Sequence, residues 1–354
     1  MEEQKRAYSS DMKIAQQVLE RFDLEHALAI LNQYIPKPGD TNDLRDFVWR
    51  YEWQLCQGDP HDILPQAVAF PWSMEVSPDG QYLALGSTYG IEGSVVVWRI
   101  ATKEIVAHLE RDPSVEGDVS WAAFTSDGKM LVTACHRRVK FFDTATWAER
   151  PELTITNVSG PIDIRGDTLV TMAPGYWHLG KIWKQLKIWN LQTRTSQTLT
   201  NVDGPPTLAP DGKRLVLNSP EGLKVWHTDR LEAVPQFLAG SSNLLTSASS
   251  YQGLYRCLAF SPDGKTLITC GGDKELRWWD FATGQLVRSS RLSFQVTSLA
   301  LSPDGATLVC ASGQCDQETK QWSVFRPDGL PIRIWRAPSL TEIDELIRSE
   351  RHNH

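Results

Sequence analysis

The sequence predicts an all-β propeller preceded by a short α-helical segment, and three observations carry that prediction. A tight polar turn recurs six times: Ser77-Pro78-Asp79-Gly80, Ser126-Asp127-Gly128, a worn Arg165-Gly166-Asp167, Pro210-Asp211-Gly212, Ser261-Pro262-Asp263-Gly264 and Ser302-Pro303-Asp304-Gly305. After each turn comes a strand ending in an aromatic residue, at Trp98, Phe142, Trp189, Trp226, Trp279 and Trp335. From Asp79 to Asp304 the five intervals average 45 residues, within the ~40–45 of one four-stranded propeller blade.

Residues 1–58 differ in kind from the rest of the chain. Ala7, Met12, Ala15, Leu19, Phe22, Leu24, Ala27, Leu28, Leu31 and Tyr34 recur at helical spacing, the pattern of helices with one buried face. Phe22-Asp23 divides them into an antiparallel pair, and Pro36-Lys37-Pro38-Gly39 stops the second helix, since proline removes a donor and restricts its predecessor. A third helix is expected to start near Asn42 or Asp43, both good N-caps, and to carry Phe47, Trp49, Tyr51, Trp53 and Leu55. So many aromatics need a surface to bury against, and the flank of the propeller supplies one.

Residues 61–340 read as short strands. In the fifth unit, Leu254–Phe260 is the inner strand a, Thr266–Cys270 strand b, Leu276–Asp280 strand c and Gln285–Ser289 the outer strand d. Proline presets φ in the turns, Asp bonds its own backbone, and glycine supplies the positive φ. β-Branched and aromatic residues in alternation fill the strands. Six units are visible and no stretch of about 40 residues is left for another, so six blades are expected, with seven as the alternative. His61–Ala69 is placed to close the ring as the outer strand of the last blade, protecting an edge that would otherwise pair with other chains. Residues 341–354 are expected to form a tail, helical and then disordered.

The units resemble WD repeats, with S-P-D-G between strands a and b and a W-D-type ending on strand c (Trp279-Asp280, with Phe142-Asp143 as a variant). The resemblance spans roughly residues 65–340. It departs from the family where the Gly-His pair before strand a is missing and where Arg99, Asn190, His227 and Arg336 replace the Asp after Trp. The family's buried Asp–His–Ser–Trp network is therefore not expected here, and apolar packing between blades must carry stability. The chain ends show a narrower resemblance. Ala7-Tyr8 through Leu19, Ala27 to Leu31, Pro36-Lys37-Pro38-Gly39 and Asp43-Leu44-Arg45-Asp46-Phe47-Val48-Trp49-Arg50-Tyr51 resemble a helical segment ahead of the WD repeats in bacterial, planctomycete-type serine/threonine kinases. Ile334-Trp335-Arg336-Ala337-Pro338-Ser339-Leu340 with Glu342-Ile343 is similar to the ending of those proteins. No Gly-rich loop over a β3 lysine, H-R-D or D-F-G occurs, so the kinase part is absent. The resemblance implies a sensor or scaffold module standing alone or cut from a larger gene product.

Composition excludes several classes. Net charge is −7 with no extended Lys/Arg run, which argues against nucleic acid or an anionic membrane as the main partner. No apolar run reaches ~18 residues, and the polar start Met1-Glu2-Glu3-Gln4-Lys5-Arg6 is unlike a signal peptide. Cys56, Cys135, Cys257, Cys270, Cys310 and Cys315 form no C-x-x-C pair and read as buried reduced thiols. The expectation is a cytoplasmic monomer, extracytoplasmic if it is a fragment of a membrane-anchored kinase, with no membrane insertion.

Function is read from loop lengths. In an antiparallel a-b-c-d blade the a–b and c–d turns share one face, and the b–c and d–a connections share the other. Turn to strand-c aromatic takes 15 or 16 residues in the second, fourth and fifth units, but 19 in the first, 24 in the third and 31 in the sixth. The fourth unit is also followed by a long d–a connection, about Ala239–Gly253. All four elaborations fall on the same face, and growth confined to one face marks the binding face of a repeat protein. The candidate partner-binding residues are Tyr89, Tyr176, Trp177, His178, Lys181, Trp322, Phe325 and Arg326, with Arg137 and Arg138 in the short second-unit loop. Tyr, Trp and Arg are the commonest interface anchors, and a paired arginine suits an acidic side chain or phosphate. The bland alternative is that the aromatics pack their own hairpin extensions and the arginines sit in a solvated turn.

Catalysis finds no such support. The eight histidines show no metal-ligand spacing, and no G-x-S-x-G motif occurs. No cofactor, metal or catalytic residue is assigned. The reading is a non-catalytic protein–protein interaction scaffold binding an unidentified protein partner. The alternatives are a hydrolase or lyase, or a small-ligand sensor, with a site in the central channel.

Overall fold

A computed structural model describes residues 2–19, 23–37, 43–45, 47–56, 61–64, 71–87, 95–109, 121–135, 137–172, 185–200, 202, 206–219, 222–231, 236–238, 258–270, 274–291, 295–305, 307–313, 332–336 and 343–344. Three helices come first, α1 (Glu2–Leu19), α2 (Leu24–Asn32) and α3 (Phe47–Cys56). Six four-stranded antiparallel sheets come after them. Blade one is β2 (Pro71–Val76), β3 (Tyr82–Ser87), β4 (Val95–Arg99) and β5 (Glu104–Leu109). Blade two is β6 (Trp121–Phe124), β7 (Met130–Cys135), β8 (Arg138–Asp143) and β9 (Ile155–Thr156). Blade three is β10 (Ser159–Arg165), β11 (Thr168–Met172), β12 (Gln185–Asn190) and β13 (Thr195–Thr200). Blade four is β14 (Pro206–Leu208), β15 (Arg214–Ser219), β16 (Gly222–His227) and β17 (Gln236–Phe237). Blade five is β18 (Leu258–Phe260), β19 (Thr266–Cys270), β20 (Glu275–Asp280) and β21 (Leu286–Arg291). Blade six is β22 (Gln295–Leu301), β23 (Thr307–Gly313) and β24 (Ile332–Arg336), completed by β1 (His61–Leu64), which pairs antiparallel with β24. The ring closes through a strand from the chain's beginning, and Leu64 is buried in the core shared by blades six and one.

Each turn builds the same way. Gly80 N–H donates to Ser77 O at 2.8 Å, and the other four S/T/A-x-D-G turns repeat that bond. Asp79 Oδ1 accepts from Ser77 Oγ and from Gln81 N–H at 3.0 Å; Asp127 and Asp263 do the same for their own turns. The turns also interlock between blades, which the repeat alone does not reveal. A Cβ on Gly128 would lie 3.6 Å from Pro78, on Gly264 3.5 Å from Pro210, and on Gly305 3.4 Å from Pro262. Ser126 stands where the other turns have proline, and its Oγ accepts a 2.8 Å bond from Gly166 N–H in blade three. The proline of one turn thus seats the glycine of the next, so the repeated pair holds neighbouring blades as well as closing hairpins. Gly80, at the junction of blades six and one, meets nothing within 4 Å, and there closure falls to β1.

The strand-c tryptophans keep a remnant of hydrogen bonding. Trp189 and Trp279 each donate from Nε1 to a strand-b threonine, Thr171 and Thr269, at 3.0 Å. Blade one has Leu85 at that register, and Trp98 Nε1, buried, finds no acceptor. Blade two has Thr133 but Phe142 opposite Leu131, so the acceptor has no indole. The threonine acceptors could have been read from strand b two residues past the leucine that pairs with the indole.

The helical segment docks on blade five. Tyr8, Met12, Ala15, Ala27, Leu31, Val48, Trp49, Tyr51 and Trp53 are buried, while Ala7 and Leu24, expected inside, are exposed. Trp49 Nε1 donates to Leu31 O at 2.8 Å and Tyr34 Oη to Asp11 at 2.6 Å. α1 packs against β21, covering its open edge. Arg288 of β21 lies between the rings of Tyr51 and Trp278, 4.8 Å from each centroid. Its Nη1 is 3.4 Å from Glu52 Oε1, with the two side chains 2% and 0% exposed. Burial, then the neighbouring Glu52 carboxylate, push the Cys56 thiol up to about 11. Arg50 reaches the blade-six turn, donating from Nη2 to Gly305 O at 3.0 Å.

The expected cap at Asn42 or Asp43 is corrected at Asp43. Helix α3 begins at Phe47, and Asp43 accepts from Arg45 N–H and guanidinium at 3.0 Å in a local turn. Asp side chains serve turns and caps by the same chemistry, so composition could not separate them; Asn42 lies outside the described residues. Arg45 also binds Asp344 at 2.7 Å, and Ile343 beside it is fully buried. The last described residues therefore fold onto the N-terminal segment.

Candidate interaction face

The a–b turns occupy one end of the ring and the b–c hairpins the other, by the strand order within every blade. At the turn end, the turns close on their own hydrogen bonds and pack on their neighbours through proline and glycine. The opposite end is the one at which the b–c connections leave and re-enter the sheets, at Ser87 and Val95, Met172 and Gln185, and Gly313 and Ile332. Most of the candidate residues, Tyr89, Tyr176, Trp177, His178, Lys181, Trp322, Phe325 and Arg326, lie outside the described residues, as does the connection after blade four.

Arg137 and Arg138 are described. Cys135 pairs with Arg138, leaving a two-residue hairpin loop in which Arg137 has φ +61°. Two-residue hairpins require positive φ at such positions, and a non-glycine residue meets that at some cost in strain. Both arginines are exposed. Arg138 opens β8 and also pairs with Thr156 on β9. The hairpin therefore presents Arg137 at its tip, with the strand beneath it fixed on both sides.

The inner strands hold a charged group that sequence reading missed. Arg165, which the sequence marks only as a worn turn residue, places Nη1 2.9 Å from Glu75 Oε1 in blade one and 3.0 Å from Asp163 Oδ1 on its own strand. Burial would lower the Arg165 pKa, but Asp163 and Glu75 together hold it above its ordinary value. Asp163, fully buried, also accepts from Leu208 N–H of blade four at 2.8 Å. Ser73 Oγ similarly accepts from Ala122 N–H at 3.1 Å, tying blade one to blade two. These bonds link inner strands of different blades, and the triad reaches past blade two. Its register gives the signal: Glu75 and Asp163 each stand one residue before the strand-a residue that pairs with a strand-b leucine.

Among the described residues, no group of three or more His, Cys, Asp or Glu side chains is placed to hold a metal ion. The four described cysteines, Cys56, Cys135, Cys270 and Cys310, form no disulfide. Among the described residues no helix is long and apolar enough to cross a membrane.

Six sheets of this topology, with these turns and strand-c tryptophans, define a propeller of the WD-repeat class. The model of the WD domain, G-beta repeat, matches residues 242–280 and 285–323; the second match begins just before β21 of blade five and runs into blade six, the same offset that makes β1 complete blade six. The chain is 23% identical over 238 residues to WD repeat-containing protein 1 of Xenopus tropicalis, covering 62% of this chain and 35% of that protein. It is 32% identical over 100 residues to the WD repeat-containing protein WDS homolog of Arabidopsis thaliana, covering 27% and 18%. Each match thus spans about a third or less of the curated relative's length. Among solved structures, a chain of the mitotic checkpoint complex superposes with TM-score 0.51 at 17% identity, over 79% of this chain and 95% of that one. The RRP9 WD40 repeats give TM-score 0.54 at 14% identity, over 78% and 97%; U3-55K gives 0.53 at 14%, over 78% and 98%. At such identities the likeness is one of fold. The chain is a six-bladed WD-repeat β-propeller with an N-terminal α-helical segment.

Proposed function

We propose that this chain is a non-catalytic scaffold that binds another protein through the propeller face bearing the b–c and d–a connections, in a cytoplasmic setting. The observation that carries the reading is the asymmetry between the two ends of the ring. The lengthened b–c connections and the long connection after blade four belong to one face, while at the other the short turns pack proline against glycine from blade to blade, with Gly166 N–H bonded to Ser126 Oγ. Arg137, exposed at the tip of a fixed hairpin, offers a guanidinium to an acidic group on the partner. One superposing chain comes from a mitotic checkpoint complex, so the fold can serve in an assembly. Trp177→Ala, Arg326→Ala and Arg137→Ala should weaken capture of a partner identified with wild-type chain, with the melting temperature near wild type. If these variants unfold the protein, or capture is unchanged, the face is misassigned.

A second reading rests on the chain ends. The two segments that resemble the planctomycete-type kinases meet here, through Arg45–Asp344 and buried Ile343. We propose that they form one unit with the propeller, as a detached kinase-associated sensor module. A kinase reading frame adjoining this one would support that; its absence across genomes encoding this chain would remove it.

A further inference from the structure

The outer strands of the blades differ in how they are protected, and one of them is not. β9 and β17 pair over only two residues each. β21 carries a register shift and is covered by α1. β5 has a register shift and carries Glu104 and His108. β1 is four residues long. Short length, bulges, charge and a covering helix are the devices that blunt a sheet edge. Among the described residues, β13, Thr-Ser-Gln-Thr-Leu-Thr, has none of them. It pairs with β12 over six consecutive residues without a shift, carries no charge, and exposes every side chain except Leu199. It ends its sheet, so alternate residues turn their N–H and C=O groups away from β12.

We propose that the outer edge of blade three accepts an extended, uncharged segment of a partner protein as a fifth strand, a surface separate from the loop face. Main-chain hydrogen bonds would supply affinity and alternating side chains selectivity. Leu199 sets the chemistry: it pairs with Leu186 and belongs to the cluster of Ile188, Val202 and Leu208. A β-branched or leucine side chain opposite Leu199 extends that cluster, and threonine or serine suits the exposed hydroxyl positions. The edge is a poor match for a second copy of this chain. Full antiparallel self-pairing of Thr195–Thr200 sets Leu199 opposite Ser196, so neither copy offers the apolar side chain that the leucine position favours.

The test uses the full chain and a labelled peptide of alternating threonine and valine flanked by lysines, in about 0.5 M salt to screen the lysines. Fluorescence anisotropy should show binding that weakens about tenfold or more when alternate peptide nitrogens are methylated, since methylation removes strand donors. Thr198→Lys should weaken it similarly without moving the melting temperature, because it adds charge at an exposed edge position. Amide exchange should slow at β13 and not at β5. Absence of peptide binding, equal binding of the methylated peptide, or indifference to Thr198→Lys would each overturn the proposal. Sedimentation showing wild-type dimers abolished by Thr198→Lys would overturn it in favour of self-pairing. None of these outcomes touches the loop-face variants, so the two surfaces stand or fall separately.

Discussion

Blades three and five share a plan but not a fate. Both place a strand-c tryptophan against a strand-b threonine and both end in a six-residue outer strand. Blade five is clad: α1 lies on β21, Arg288 is stacked between Tyr51 and Trp278, and Glu52 closes the site. Among the described residues blade three is bare, with every side chain of β13 but Leu199 exposed. The difference teaches that the helical segment is part of the propeller's wall, a cover chosen for one blade through a buried charge. The blade left open is the one with room for another chain.

The largest way to break the comparison is at Glu52. Taking away one member of a buried ion pair leaves the other charge desolvated, at about 3–5 kcal/mol. Glu52→Ala should therefore lower unfolding free energy by about that much, measured by denaturant titration. A double replacement, Glu52→Leu with Arg288→Met, should recover most of the loss, because apolar groups of similar volume often replace buried pairs at little cost. If Glu52→Ala is neutral, the segment is a loose appendage and the clad blade is clad in name only.

A finer comparison uses the bond the two blades share. Removing a partner from a buried indole N–H costs about 1–3 kcal/mol. Trp279 is 2% exposed, whereas Trp189 is half-buried and water can satisfy it. Thr269→Val should cost toward the upper end of that range and Thr171→Val toward the lower, read from paired melting or urea curves. Equal costs would mean that the tight packing of Trp279 between blades four and five does not keep water from its indole.

Much of this architecture was legible because the chemistry is local. A turn of Ser, Pro, Asp and Gly closes within a few residues, so period, blade number and strand order could be read along the chain. The latch followed from the one outer strand left without a hairpin partner. What escaped reading depends on residues far apart in sequence: Arg165 with Glu75, ninety positions away, and Glu52 with Arg288. A lone Arg or Glu carries no sign of its partner. Asp43 was misread for a different reason, since caps and turns ask the same of an aspartate. On the candidate face, loop length was legible, and of the named residues the structure describes only Arg137 and Arg138.

The smallest expected effect separates the two blades by pH. Blade five keeps the full turn, and Asp263 accepts from Ser261 Oγ and Lys265 N–H; blade three has Arg165-Gly166-Asp167 in its place and no Asp in that role. Burial alone would raise the Asp263 pKa, but the bond from Ser261 and those from Lys265 outweigh it and hold the carboxyl below its usual range. A folded-state pKa below the unfolded value of about 3.9 means the stabilisation is complete above that value. It is lost as pH falls through the lowered folded value. Asp263→Asn should thus reduce stability slightly at neutral pH, and the gap between variant and wild type should close in acid. Chemical denaturation at stepped pH reads both. A gap that persists below the folded pKa would show that the bond to Ser261 matters as geometry rather than through the charge, and the turn in blade five would then stand closer to that of blade three, where no carboxylate fills this role.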